Sequence, residues 1–299
     1  MSAVVIHGAI LLGLLYAIMV LGVFLTFRVL NYADLTVDGS LPLGAAITAS
    51  LIATGTNPFL ATLVAPLLGA VAGLITGILH TKFSITPLLS GILTSIGLYS
   101  INLRIMNSPN ISLLRATTVY DYFSLGGLSA RTGEYLAAGV VVVILVLLLY
   151  SFLHTESGLA VRATGDNEIM MRSQGVNTDN MKILGLSLSN ALVALSGAMI
   201  AQYQGFADVN MGIGTIIVGL ASVIIGEVLF GVKSILGKVV AVVFGSVVYR
   251  LAIALVLRLG FIEHTDLRLF TALLVTLALI APELSKKFQA NAGSKRLSA

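Results

Sequence analysis

Apolar residues run almost without interruption over 3–27, 41–55, 58–79, 84–103, 135–153, 183–202, 211–231, 235–257 and 269–282. Polar and charged residues collect in the intervals. Several runs approach or exceed the ~18–20 residues that cross a bilayer as a helix. A spanning segment must satisfy its own backbone, so it is a helix or part of a closed barrel. The strict apolar–polar alternation of a membrane barrel is missing. The pattern predicts an all-α integral membrane protein of about nine transmembrane helices in one domain, residues 1–299. The 41–55 run is short. Either its helix begins before Leu41, with an unwound stretch at Asp38-Gly39-Ser40, or it re-enters without crossing.

Composition agrees with the pattern. Of 299 residues 57% are hydrophobic and only 10% charged, with a mean hydropathy of +1.02. Soluble domains carry about 25% charged residues, so this chain lacks the charge to cover a soluble surface. There is no cysteine, which excludes disulfides and thiolate metal sites. The net charge of +4 forms no basic stripe and points to topology, not to nucleic acid. Ala3–Phe27 is longer than the ~7–15 apolar residues of a signal core, and no Lys or Arg precedes it. It reads as a retained first span. With the 154–182 loop inside and all nine runs crossing, eleven Lys and Arg lie on the cytoplasmic side and five outside. The positive-inside bias favours that orientation. It places the N-terminus and a 104–133 loop outside, and a 284–299 tail in the cytoplasm. If 41–55 does not cross, the first half inverts.

Catalytic chemistry is thin. His7, His80, His154 and His264 are scattered, and neither H-E-x-x-H nor G-x-S-x-G occurs. No catalytic residue, metal site or cofactor is expected. Residues 231–239 resemble a phosphate loop only briefly. Five residues separate Gly231 from Gly237 instead of four, and Val239 stands where Ser or Thr would hold magnesium. Glu227 and Arg250 lie within runs but differ in depth by roughly 15 Å at 1.5 Å per residue. Ionisable groups at such depth are candidates for function, and structural or snorkelling roles compete with it.

The stretch 31–42 is the better candidate for a translocation path. Asn31, Asp34, Asp38 and Ser40 alternate with apolar residues before Pro42 opens a run. A helix starting there leaves free N–H groups able to bind anionic or polar groups. Broken helices of this kind line transporter cavities; a plain loop with a helix cap is the competing reading. Ser90, Thr94 and Gln202 are further polar candidates within or at the ends of runs. Gly69, Gly73 and Gly77 recur every four residues and predict close helix packing.

The central segment 158–180, GLAVRATGDNEIMMRSQGVNTDN, interrupts the apolar pattern. Asp166 is expected to cap a short helix over Asn167–Gln174, with Gly175 as its left-handed stop. Ile169, Met170 and Val176 give that helix an apolar side, framed by Arg162, Glu168 and Arg172. From these residues alone, a packed interhelical loop and a docking element are equally good readings.

Phe27-Arg28-Val29-Leu30-Asn31-Tyr32-Ala33 and the central Gly158-Leu-Ala-Val-Arg162-Ala163, Asn167 and Gly175-Val176-Asn177 resemble permease subunits of bacterial ABC importers, in the branched-chain amino acid and ribose permease superfamily. Residues 34–40 and 108–112 resemble a branch that includes tryptophan and tyrosine importers. The resemblance covers nearly the whole chain. It implies a type II-like importer architecture in the bacterial inner membrane. Two permease copies, or a copy and a paralogue, would form the path. Separate ATPase subunits would dock on the coupling segment 158–176, and an extracytoplasmic binding protein would deliver substrate. Arg162, Ala163, Asp166, Asn167, Glu168, Arg172 and Gly175 would fall in that coupling segment. The usual Glu-Ala-Ala pattern before its Gly is replaced here by Glu168-Ile-Met-Met. The expected cargo by this resemblance is a small polar solute, an amino acid, with aromatic amino acids among the candidates; a sugar or nucleoside, or an ion-coupled carrier mechanism, is the alternative.

Overall fold

The computed structural model describes residues 3–124, 130–232 and 234–258, with positions 269, 272, 273 and 276. Most of the 269–282 run and all of the 284–299 tail lie outside the described residues. Eight long helices account for the other eight runs: α1 (Ala3–Val23), α2 (Val37–Ala53), α3 (Pro58–Thr81), α4 (Pro87–Met106), α6 (Ala130–His154), α9 (Thr178–Gln204), α10 (Thr215–Phe230) and α11 (Ile235–Arg258). Three short helices, α5 (Val119–Ser124), α7 (Glu156–Asp166) and α8 (Glu168–Ser173), and two short strands, β1 (Asn110–Ser112) and β2 (Phe206–Asp208), complete the order. Among the described residues six helices are long and apolar enough to cross a membrane; α2 and α10 are shorter apolar helices.

Neighbouring contacts give the helix directions. Gly69, Gly73 and Gly77 of α3 lie against Asn190, Leu186 and Ile183 of α9 in descending order, so the two are antiparallel. Ser40 and Gly44 of α2 meet Asn190 and Ala194 in ascending order, so α2 runs with α9. Ser222 and Gly226 of α10 meet Gly245 and Ala241 of α11 in reverse order. The long helices therefore alternate in direction along the chain. The 41–55 run belongs to a helix that begins earlier, at Val37, and α2 keeps this alternation.

α1 and α9 form the buried centre, while α3, α4 and α6 turn rows of exposed leucine, isoleucine and valine outward. No apolar driving force separates such a surface from lipid, so close packing and polar bonds must hold the bundle. Both are present. A Cβ at Gly77 would stand 2.9 Å from Ile183 Cα, and one at Gly13 2.7 Å from Val247 Cα. Ser189, Ser196 and Ser246 donate to the carbonyls of Gly22, Leu15 and Gly13 at 2.8 Å.

The two ends differ. At one end β1 and β2 pair antiparallel, Ile111 opposite Ala207, and tie the α4–α6 connection to the α9–α10 connection. Helices occupy both edges of the expected 104–133 loop: α4 extends to Met106 and α6 begins at Ala130. At the other end lie α7 and α8. The expected short helix is α8, preceded by a helix that was not expected, α7, and Asn167, not Asp166, caps α8. Asn167 Oδ1 accepts from Met170 N at 2.9 Å, while Asp166 is the last residue of α7. Gly175 adopts φ +82°, the left-handed stop.

Candidate functional site

α1 does not end cleanly. Its last turn, Phe24–Val29, is π-helical, and residues 30–36 then run without regular structure to the start of α2. Asn31 takes φ +53° and is exposed. Beyond it Tyr32, Asp34 and Thr36 are buried. Irregular backbone at such depth is tolerated only where protein surrounds it or a cavity adjoins it. Both hold here. Tyr32 bonds Ser90 of α4 at 2.8 Å, and Thr36 Oγ1 bonds Thr76 of α3 at 2.7 Å, which in turn donates to Thr94 at 2.9 Å. Asp34 Oδ2 accepts from Asn190 Nδ2 of α9 at 2.7 Å, and Asn190 Oδ1 accepts from Ser40 Oγ at 2.7 Å.

A second break faces the first. After β2 the chain turns inward, and Gly212 lies directly against the Asp38 carbonyl. α10 starts at Thr215, where Asp38 caps it from another helix. The Asp38 carboxylate accepts from Gly214 N at 3.1 Å, from Ile216 N at 3.0 Å and from Thr215 Oγ1 at 3.0 Å. A carboxylate is the favoured partner of a helix N-terminus. Between the two breaks and α4 lies a cavity of about 340 Å³ lined by Asp38, Gly39, Pro42, Ser95, Ile96, Tyr99, Asn102, Val209 and Ile213.

The structure thus sorts the path candidates. Asp38 lines the cavity. Asp34, Ser40, Ser90 and Thr94 are buried in the bonds that hold segment 30–36. Gln202 is buried near the C-terminal end of α9, accepting from Val119 N at 3.0 Å and donating to Thr62 at 2.8 Å. The N–H groups of Gly39 and Ser40 donate to the Thr36 carbonyl, so they are not free for an anion. Sequence reasoning missed Asn190, Asn102 and Tyr99. Two of these are amides within apolar runs, a signal as strong as the serines and threonines that were noticed. Glu227 pairs with Arg28 at 2.7 Å, and the Arg250 guanidinium stacks 3.6 Å from the Tyr16 ring centroid. Those two charges have separate partners. Among the described residues no cluster of metal-ligating side chains occurs.

The α7–α8 end is the second candidate element. α8 has no buried residue; Ile169 is 83% exposed and Met170 also faces out. The helix is nevertheless anchored. Glu168 accepts from Lys182 at 2.8 Å and from Arg172 at 2.8 Å, and Arg172 also reaches Asp179 at 3.1 Å. The hydrogen bond from Lys182, reinforced by the charges of Lys182 and Arg172, holds the Glu168 carboxyl below its ordinary pKa against partial desolvation. α7 packs by its buried Gly158, Val161 and Thr164, and Gly165 rests on the Val29 carbonyl and on Leu30. Ala163 accepts the Asn167 N–H that ends α7. Arg162 and Asp166 line a cleft with Arg28 and Lys238.

The sequence is similar to those of known proteins. Residues 5–281 match the family described as branched-chain amino acid transport system, permease component. A tyrosine transport system permease protein of Clostridioides difficile is 43% identical over 263 residues, covering 88% of this chain and 86% of that protein. The ribose import permease protein RbsC of Escherichia coli K12 is 26% identical over 233 residues, covering 78% of this chain and 71% of that one. No solved structure matches.

Proposed function

The chain belongs to the permease family of bacterial ABC importers, a multi-pass inner-membrane transport subunit and not an enzyme, and on that premise we propose how it moves its cargo. The cargo is an amino acid, tyrosine or a close aromatic analogue, by similarity to the tyrosine permease. The single observation that carries the path is the cavity at Asp38, where the starts of α2 and α10 meet inside the bundle. Broken helices of this sort line cargo sites in other transporters.

Segment 158–176 is the ATPase-coupling element, on the cytoplasmic side that the Lys and Arg bias assigns to it. α8 offers Ile169 and Met170 to the ATPase subunit, and its ion pairs with Lys182 and Asp179 fasten it to α9. The described helices alternate in direction. The 104–133 region lies outside, where a binding protein approaches. The open side of the cavity, at Ile96, Tyr99 and Ile213, exposes polar lining that lipid cannot satisfy. A second copy of the chain covers it.

ATP binding draws the ATPase subunits together, and the permease pair shifts between outward and inward states. Reconstitution with its ATPase and binding protein tests this reading. Tyrosine uptake is expected to need ATP and to exceed ribose uptake. Ile169→Asp, an exposed position, is expected to lower uptake at least tenfold while the permease still inserts. Normal uptake and ATPase recovery with Ile169→Asp would sink the coupling assignment, and ATP-independent uptake would sink the importer reading.

A further inference from the structure

The cavity at the two helix breaks has no free backbone N–H at the two helix starts, and the hydroxyl donors in its lining, Ser95 and Tyr99, are uncharged. The N–H groups of Gly39 and Ser40 go to the Thr36 carbonyl, and those of Gly214 and Ile216 go to Asp38. Among the described residues no Lys, Arg or His lines it. An anionic end of a cargo would therefore meet the Asp38 carboxylate with no free cation to offset it. Asn102 supplies the opposite opportunity. Its Nδ2 donates to the Gly39 carbonyl at 3.3 Å, which fixes the amide orientation. The residue is fully buried, and its Oδ1 has no hydrogen-bond partner. A buried acceptor without a donor is costly, and native structures rarely keep one without a use. Asp38 spends three acceptor positions on α10, out of roughly four that a carboxylate offers. The ring of Tyr99 shares the same wall, and an aromatic face attracts a cation.

We propose that this cavity receives its cargo by a cationic, hydrogen-bond-donating end, an ammonium group, seated against Asn102 Oδ1 with Asp38 and Tyr99 beside it. The inference rests on the cavity being the translocation path and adds which end of an amino acid it reads. The carboxylate end then points away from Asp38.

The test uses the permease–ATPase complex in nanodiscs, without binding protein, and saturation-transfer NMR. The probes are tyramine, which has the ammonium and no carboxylate, and 3-(4-hydroxyphenyl)propionate, which has the carboxylate and no ammonium. Tyramine is expected to bind and the propionate not. Asn102→Leu is expected to weaken tyramine roughly tenfold or more, the size of a lost hydrogen bond to a charged group. Asn102→Asp keeps an acceptor and is expected to stay within a few-fold of wild type, which a merely structural amide would not permit. Equal binding of the two probes, binding of neither, or tyramine affinity unchanged in Asn102→Leu would overturn the proposal. Ile213→Trp, at the exposed rim, separates this from the path itself. Unchanged tyrosine uptake in that variant removes the cavity from the path. Blocked uptake together with equal binding of both probes removes only the ammonium assignment.

Discussion

Asn190 makes three buried hydrogen bonds, to Asp34, to Ser40 and to the Leu186 carbonyl. Leucine there is close in size but leaves the Asp34 carboxylate and the Ser40 hydroxyl with fewer partners. Each buried group left unsatisfied costs about 1–3 kcal/mol, more when charged. Asn190→Leu is therefore expected to destabilise the protein by about 3 kcal/mol, read as a lower thermal midpoint in detergent; an unchanged midpoint would contradict the network. The polar pattern of 31–40 was legible in the sequence because charges and amides stand out against apolar runs. The partners were not, since Asn190 is 156 positions from Asp34 and one sequence carries no record of contact. The expectation of free N–H groups failed for the same reason: the Thr36 carbonyl takes those of Gly39 and Ser40, and Asp38 reaches across to a different helix.

At the scale of elements, α8 is held by charge where the long helices are held by packing. Glu168 is the common partner of Lys182 and Arg172. Its carboxyl pKa is lowered in the folded protein, so its contribution is present in full above the ordinary carboxylate range and is lost as pH falls through the lowered value. Hydrogen exchange of α8 amides should be flat from pH 7 to about 5 and rise only as pH falls below the ordinary glutamate range, after correction for the intrinsic rate. Glu168→Gln should raise exchange in this helix already at neutral pH. Protection that ignores both changes would show that the ion pairs do not anchor α8. Gly175 and the short helix were legible from turn chemistry. The preceding α7 was not, because Asp166 and Asn167 are both good caps and adjacent, and only the packing of Gly158 and Gly165 decides between them. The Gly69, Gly73 and Gly77 repeat was visible as a stripe, while its partner face on α9 was not.

For the whole molecule, apolar run lengths foretold most of the architecture, since the bilayer sets the length of a crossing helix. They underread α2, whose first turn is polar at Asp38 and Ser40 and so falls outside an apolar run. The open side of the cavity carries a prediction about assembly. The chain has no cysteine, so Ile96→Cys is a single-thiol protein without further change. Copper-phenanthroline oxidation in native membranes is expected to yield a disulfide-linked pair of permeases, and Val4→Cys on the far end of α1 is expected not to. Monomer only at Ile96 would place the second copy elsewhere. Segment 30–36 adds a consequence of its own. It is tied by Tyr32 to α4, by Asp34 to α9 and by Thr36 to α3, and Gly165 of α7 presses on its lower end. In an engineer's terms it is a joint in an overconstrained frame: no one of the three helices can tilt without loading the other two, so the frame moves as a unit or holds.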